Sequence, residues 1–139
     1  MTLITETRDI ATCRALRRTV FIEEQGVPEA DEVDDLDDQA VHLLASGGHH
    51  PVGTARLLTL GHIGKIGRVC VLPEARGTGL GAALIRASVA YFRTQPGIDT
   101  VKLGAQKSAI GFYIKLGFTP IGAEYMDAGI PHQDMALPL

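Results

Sequence analysis

The chain has 139 residues, is 45% hydrophobic and carries a formal charge of −3 with a pI of about 5.9. That is enough apolar material for one core and too little for two, and no run of 18 apolar residues offers a membrane span. An acidic pI, the absence of tryptophan and the lack of a basic-aromatic cluster argue against nucleic acid as a partner.

The residues Met1 to Thr7 lack the basic flank and apolar stretch of a signal peptide. Thr2 to Glu6 reads as a first strand, and Asp9 to about Gln25 as a helix stopped by Gly26-Val27-Pro28. On that helix Ala11, Ala15, Leu16, Thr19 and Val20 fall near one face, and Arg14, Arg17 and Arg18 near the other. Ala40 to Ala45 and Val52 to Thr59 read as strands joined by a turn at Gly47-Gly48-His49-His50, and Gly61-His62 turns into a strand ending at Leu72. A helix follows from Gly79 to about Arg93, with Leu80, Leu84 and Ala87 at helical spacing. Then come a strand at Thr100 to Gly104, a short helix containing Tyr113, and two antiparallel strands around Asp127-Ala128-Gly129-Ile130-Pro131. The pattern is a single α/β domain over residues 1–139, a mixed sheet flanked by helices.

Two cysteines, Cys13 and Cys70, make neither a disulfide framework nor a metal-ligand spacing. They read as reduced thiols of a cytoplasmic protein. His49 and His50 lack further ligands at recognisable spacing, so no metal is expected.

The most informative stretch is Arg76-Gly77-Thr78-Gly79-Leu80-Gly81-Ala82, which follows the strand and opens the long helix. Its glycines let backbone N–H groups close around an anion, the helix N-terminus adds unpaired donors, and Arg76 adds charge. The ligand should carry phosphates. No Lys-Ser/Thr pair follows Gly81, which excludes a Walker loop, and Gly-x-Gly-x-Gly is not the dinucleotide fingerprint. A second motif lies about 30 residues on: Ser108-Ala109-Ile110-Gly111-Phe112-Tyr113-Ile114-Lys115-Leu116-Gly117-Phe118. Here Ser108 is expected as N-cap and Gly117 as the left-handed residue that closes the helix.

Together, Arg-x-x-Gly-x-Gly from Arg76 to Gly81 and the Gly117-Phe118 helix resemble the GCN5-related N-acetyltransferases, over residues 50 to 139. Val20-Phe21-Ile22-Glu23-Glu24-Gln25-Gly26-Val27-Pro28, Gly53-Thr54-Ala55-Arg56, Ile66-Gly67-Arg68-Val69 and Gly129-Ile130-Pro131-His132 narrow the likeness to small bacterial members of the ElaA/YjcF type. The resemblance implies that family's fold, with a mixed, mostly antiparallel sheet, and transfer of acetyl from acetyl-CoA to a primary amine, carried by a small molecule or a peptide. It implies pyrophosphate on Arg76, Gly77, Thr78, Gly79, Leu80, Gly81 and Ala82. It further implies backbone pairing of pantetheine with Val69, Cys70 and Val71, and Tyr113 as the acid for the departing thiolate. Gln106 stands where relatives often carry a cofactor-contacting asparagine. A homodimer is one assembly it allows. A coenzyme A-binding sensor or assembly subunit without turnover is the alternative reading.

Proton removal from the amine leaves several candidates: Glu23, Glu24, His42, His132 or a water relay. Glu24 and His132 are carried forward as candidate catalytic residues, although Glu24 could instead partner an arginine and His42 reads better as a hydrogen-bonded structural residue. Between Thr19 and Ala55 there are nine acids and no Lys or Arg, and seven of the acids lie from Glu29 to Asp38. Such a run is either a solvated loop or a border to a cationic acceptor's path.

Overall fold

Seven strands form one sheet in the order β1-β2-β3-β4-β5-β7-β6 in this computed structural model, which describes residues 2–139. The strands are β1 (Thr2–Thr7), β2 (Val41–Gly47), β3 (His50–Leu60), β4 (Ile63–Val71), β5 (Thr100–Gln106), β6 (Thr119–Asp127) and β7 (Ile130–Pro138). All neighbours run antiparallel except β4 and β5. A parallel pair needs a crossover, and α3 (Leu80–Arg93) supplies it. Two short helices, α2 (Glu29–Glu32) and α4 (Ile110–Lys115), complete the outline with α1 (Ile10–Arg17). No helix among the described residues is long and apolar enough to cross a membrane.

The main core forms where α3 lies on the sheet. Leu84, Ile85 and Phe92 pack with Leu57, Ile66, Val101, Leu103 and Met135. Strand alternation sends Cys70 to the other face, into a smaller cluster with Leu16 and Val20 of the first helical segment, while its neighbours Val69 and Val71 pack toward α3.

The first helix departs from expectation in two ways. It is α-helical only to Arg17, capped by Asp9 whose carboxylate accepts from Thr12 N–H. From Arg18 to Glu24 it widens to π-helical winding, with Gln25 N–H donating to Val20 O, before Gly26 turns away at φ +72°. Its buried face is also different: Cys13, Leu16, Arg17 and Val20 are inside, and Ala11, Ala15 and Thr19 are exposed. Arg17 is only 1% exposed. A guanidinium tolerates that because every direction is answered: Nε donates to Glu32, and the two terminal nitrogens to Asp37, each at 2.9 Å.

The acidic run divides: Glu29, Asp31, Asp35 and Asp38 stay exposed, whereas Glu32, Asp34 and Asp37 are drawn into ion pairs. Glu32 and Asp37 are buried under Arg17, and Asp34 takes two bonds from Arg56 at 2.7 and 2.9 Å. Arg14 and Arg56 also reach Asp37. Burial alone would raise the Asp37 pKa, but the hydrogen bonds from Arg17 and Arg14 overturn that and hold its carboxyl well below the usual carboxylate range. A depressed folded pKa stabilises fully above the unfolded value of about 3.9 and is lost as pH falls below it. Asp37→Ala should cost about 3–5 kcal/mol, because it strands two or three buried guanidinium donors. Urea denaturation at pH 7 checks this, and the gap between variant and wild type should narrow as the pH is lowered through 4 toward 2.

Candidate functional site

Parallel pairing of β4 with β5 runs from Ile63 opposite Thr100 to Ile66 opposite Leu103, and then stops. β4 continues beside β3 to Val71, and β5 continues beside β7 to Gln106. Their inner edges have no partner strand over these stretches. A cleft of about 340 Å³ opens there, with Gly67, Arg68 and Val69 on one wall, Gly104 and Gln106 on the other, and Tyr113 at its side.

The β4 wall is bulged. Between the pairs Thr54–Cys70 and Arg56–Gly67, β4 carries Arg68 and Val69 against Ala55 alone. Arg68 sits at φ +50°, a left-handed conformation that costs a side-chain-bearing residue about 1–2 kcal/mol. Arg68 and Val69 thus lack a register partner on β3, and β5 has already departed.

At the end of β4 the glycine loop leads into α3. Gly79 is the N-cap residue at φ +82° and offers no capping side chain. Among the described residues, the N–H groups from Gly77 to Ala82 have no backbone partner in loop or cap, and the next amide, Ala83, is the first to close onto Gly79 O. Six consecutive donors at a helix N-terminus fit a pyrophosphate.

Tyr113 is placed by the way α4 ends. Phe118 N–H donates to Tyr113 O and Gly117 N–H to Ile114 O, with Gly117 at φ +99°, which is the paired 6→1 and 5→2 closure of a Schellman turn. The accompanying apolar contact is Tyr113 edge-on to Phe118, ring centroids 6.0 Å apart. The expected cap at the other end is absent: Ser108 lies inside a 3₁₀ turn, Lys107–Ala109, and α4 has no side-chain cap. Burial pushes the Tyr113 phenol pKa above its ordinary value, so it is protonated at neutral pH.

Residues 12–139 match the family profile described as an acetyltransferase (GNAT) domain. The chain belongs to the GNAT acetyltransferases. It is 36% identical over 121 residues to the uncharacterized N-acetyltransferase YjcF of Bacillus subtilis, covering 86% of each chain. The crystal structure of an acyl-CoA N-acyltransferase from Pseudomonas aeruginosa superposes with a TM-score of 0.85 at 29% identity, over 98% of this chain and 97% of that one. That of Escherichia coli ElaA gives 0.82 at 27%, over 98% and 99%. The likeness to the ElaA/YjcF group and the mixed, mostly antiparallel sheet read from the motifs are both confirmed, and the chain is an acetyl-CoA-dependent transferase of this family.

Within this GNAT site the other candidates fall unevenly. His132 lines the cleft, with Nδ1 2.7 Å from Ile130 O and its ring stacked on Tyr125 at 5.9 Å. Glu24 is not in the cleft. Its carboxylate takes two bonds of 2.6 Å from Arg76, whose Nε also donates to Val71 O. The Arg76 hydrogen bond lowers the Glu24 pKa, which makes this carboxylate a poor base and gives Arg76 a protein counter-charge of its own. Gln106 is in the cleft wall, its side-chain amide donating to Gln25 at 3.0 Å.

His42 is buried, with Nε2 2.9 Å from Asp37 O, the structural role its strand position implied. Cys70 is 4% exposed, and burial pushes its thiol up to about 12. No group of three or more His, Cys, Asp or Glu among the described residues could hold a metal. The sequence reading missed the Arg17–Glu32–Asp37 cluster beside the site. The signal available was charge balance: three arginines at 14, 17 and 18 facing seven acids a few turns later.

Proposed function

We propose that this protein acetylates a primary amine, on a small molecule or a peptide, by direct attack within a ternary complex with acetyl-CoA. The observation that carries the reading is the parting of β4 from β5 after Ile66, with unpaired strand edges on both sides and the open glycine loop at the end of β4. Gly77 to Ala82 would hold the pyrophosphate, and the Val69–Val71 edge would pair with pantetheine. Acetyl-CoA supplies the activated thioester. The free backbone at the β4 bulge is the donor available to a developing oxyanion.

His132 is the base this arrangement favours. A carbonyl oxygen only accepts, so Nδ1, at 2.7 Å from Ile130 O, carries the proton in the neutral ring. Nε2 then keeps its lone pair free to take a proton from an ammonium group. Glu24, paired with Arg76, is not retained in this role. Tyr113 delivers a proton to the leaving sulfur.

Free coenzyme A released in the presence of a panel of primary amines tests the reading, followed by initial rates with both substrates varied. Intersecting lines are expected, and Cys70→Ala should keep its kcat to within a few-fold, because a buried thiol with a pKa of about 12 is a poor nucleophile. Acetyl-CoA bound tightly with no coenzyme A formed for any amine would favour the sensor. Parallel lines with acetylated Cys70 would replace direct attack by an acetyl-enzyme.

A further inference from the structure

The strained conformation at the β4 bulge is held from outside the sheet. One Arg68 terminal nitrogen donates to Glu32 O at 3.1 Å and to Asp34 Oδ2 at 3.2 Å. Asp34 cannot swing away, since Arg56 grips both of its oxygens. Arg56 in turn reaches Asp37, which Arg17 fixes to the first helix. A connected ladder of charges thus runs from the first helix through the acidic segment to one residue, Arg68, that sits in the cleft wall at φ +50°. Non-glycine residues stay in that region only when their surroundings over-determine them.

We infer that Arg68 is a positioning residue for acetyl transfer: clamped by Asp34 and the Glu32 carbonyl, it holds the bulge in the left-handed conformation that presents the Arg68–Val69 backbone N–H groups to the thioester carbonyl. The inference rests on the proposed acetyl transfer. It gives the acidic segment a task in the site, since Asp34 and Glu32 act through Arg68 on the backbone. The guanidinium itself needs no contact with either substrate.

The test is the NMR shift of acetyl-CoA labelled with ¹³C at the acetyl carbonyl, bound to wild type, Arg68→Ala, Arg68→Gly and Asp34→Asn. Hydrogen-bond donors polarise the carbonyl, so the wild-type resonance should move downfield on binding. Arg68→Ala and Asp34→Asn should lose most of that displacement while acetyl-CoA affinity changes only a few-fold, because the glycine loop is untouched. Arg68→Gly should recover much of it, since glycine adopts positive φ without a Cβ penalty. With an accepted amine, kcat of Arg68→Ala should fall by on the order of 10²-fold, as for loss of an oxyanion donor, at unchanged acetyl-CoA KM. Full displacement in Arg68→Ala or Asp34→Asn overturns the proposal. So does equal loss in the alanine and glycine variants, which would assign the effect to the charge. If Arg68→Ala does not fold, Asp34→Asn decides. A wild-type complex without displacement would sink the oxyanion site and the clamp together, whereas displacement in wild type isolates the clamp as the point at issue.

Discussion

Tyr113→Phe is expected to slow turnover by roughly 10²–10⁴-fold, the usual range for a general acid, with little change in acetyl-CoA affinity. A phenol titrates at about 10 and a thiol at about 8.5 or above, so proton transfer to a departing thiolate is near balance. Burial raises the Tyr113 value, which keeps the phenol protonated but opposes donation, and the balance holds because the same dry surroundings raise the thiol's value too. Phenylalanine is the informative replacement: the edge-on contact with Phe118 and the turn at Gly117 depend on the ring and the backbone, not on the hydroxyl. Single-turnover rates at saturating acetyl-CoA would show the defect where chemistry limits the rate. Full retention of kcat under those conditions would reduce Tyr113 to a packing residue.

Gly79→Val should abolish acetyl-CoA binding and leave the fold in place. At φ +82° a β-branched residue is strained by about 1–3 kcal/mol, which the loop can relieve only by leaving the left-handed conformation. No protein atom lies within 4 Å of the added Cβ, so the core is not disturbed. Relief by movement scatters the N–H groups of Gly77 to Ala82. Losing two charge-assisted hydrogen bonds, at about 1.5–3 kcal/mol each, already weakens binding by on the order of 10²-fold or more. Calorimetric titration with acetyl-CoA, beside thermal unfolding of the same sample, separates the two effects. Undiminished affinity in a folded variant would place the pyrophosphate elsewhere.

What could be read from the sequence was written locally. Gly117 does adopt the left-handed conformation that closes the Tyr113 helix, and the strand and helix order follows from periodicity and turns. What escaped was set by residues distant in the chain. Arg17 looked like one of three arginines on a polar helix face, and its burial is intelligible only once Glu32 and Asp37, 15 and 20 positions away, are brought to it. Ser108 resembled a cap by residue type, but the 3₁₀ turn around it puts Ala109 in the capping place. Nothing in the letters marks Arg68 as left-handed, because arginine has no preference for that conformation. Glu24 was open between a catalytic role and pairing with an arginine; the structure gives it the pairing, with Arg76, the residue expected on the pyrophosphate.

Among the described residues four register pairs tie β4 to β5, so the sheet is split along one end of that seam. Anything extended that lies along the open edges supplies the rungs that the chain lacks and acts as an eighth strand. The free enzyme is then an incomplete sheet, its two halves joined beyond the split by the core under α3, and substrate occupancy adds to its cohesion. By mass action a ligand at a hundred times its Kd adds about 2.7 kcal/mol to such a fold. Abundance of the folded protein would thereby follow the supply of the molecule it consumes.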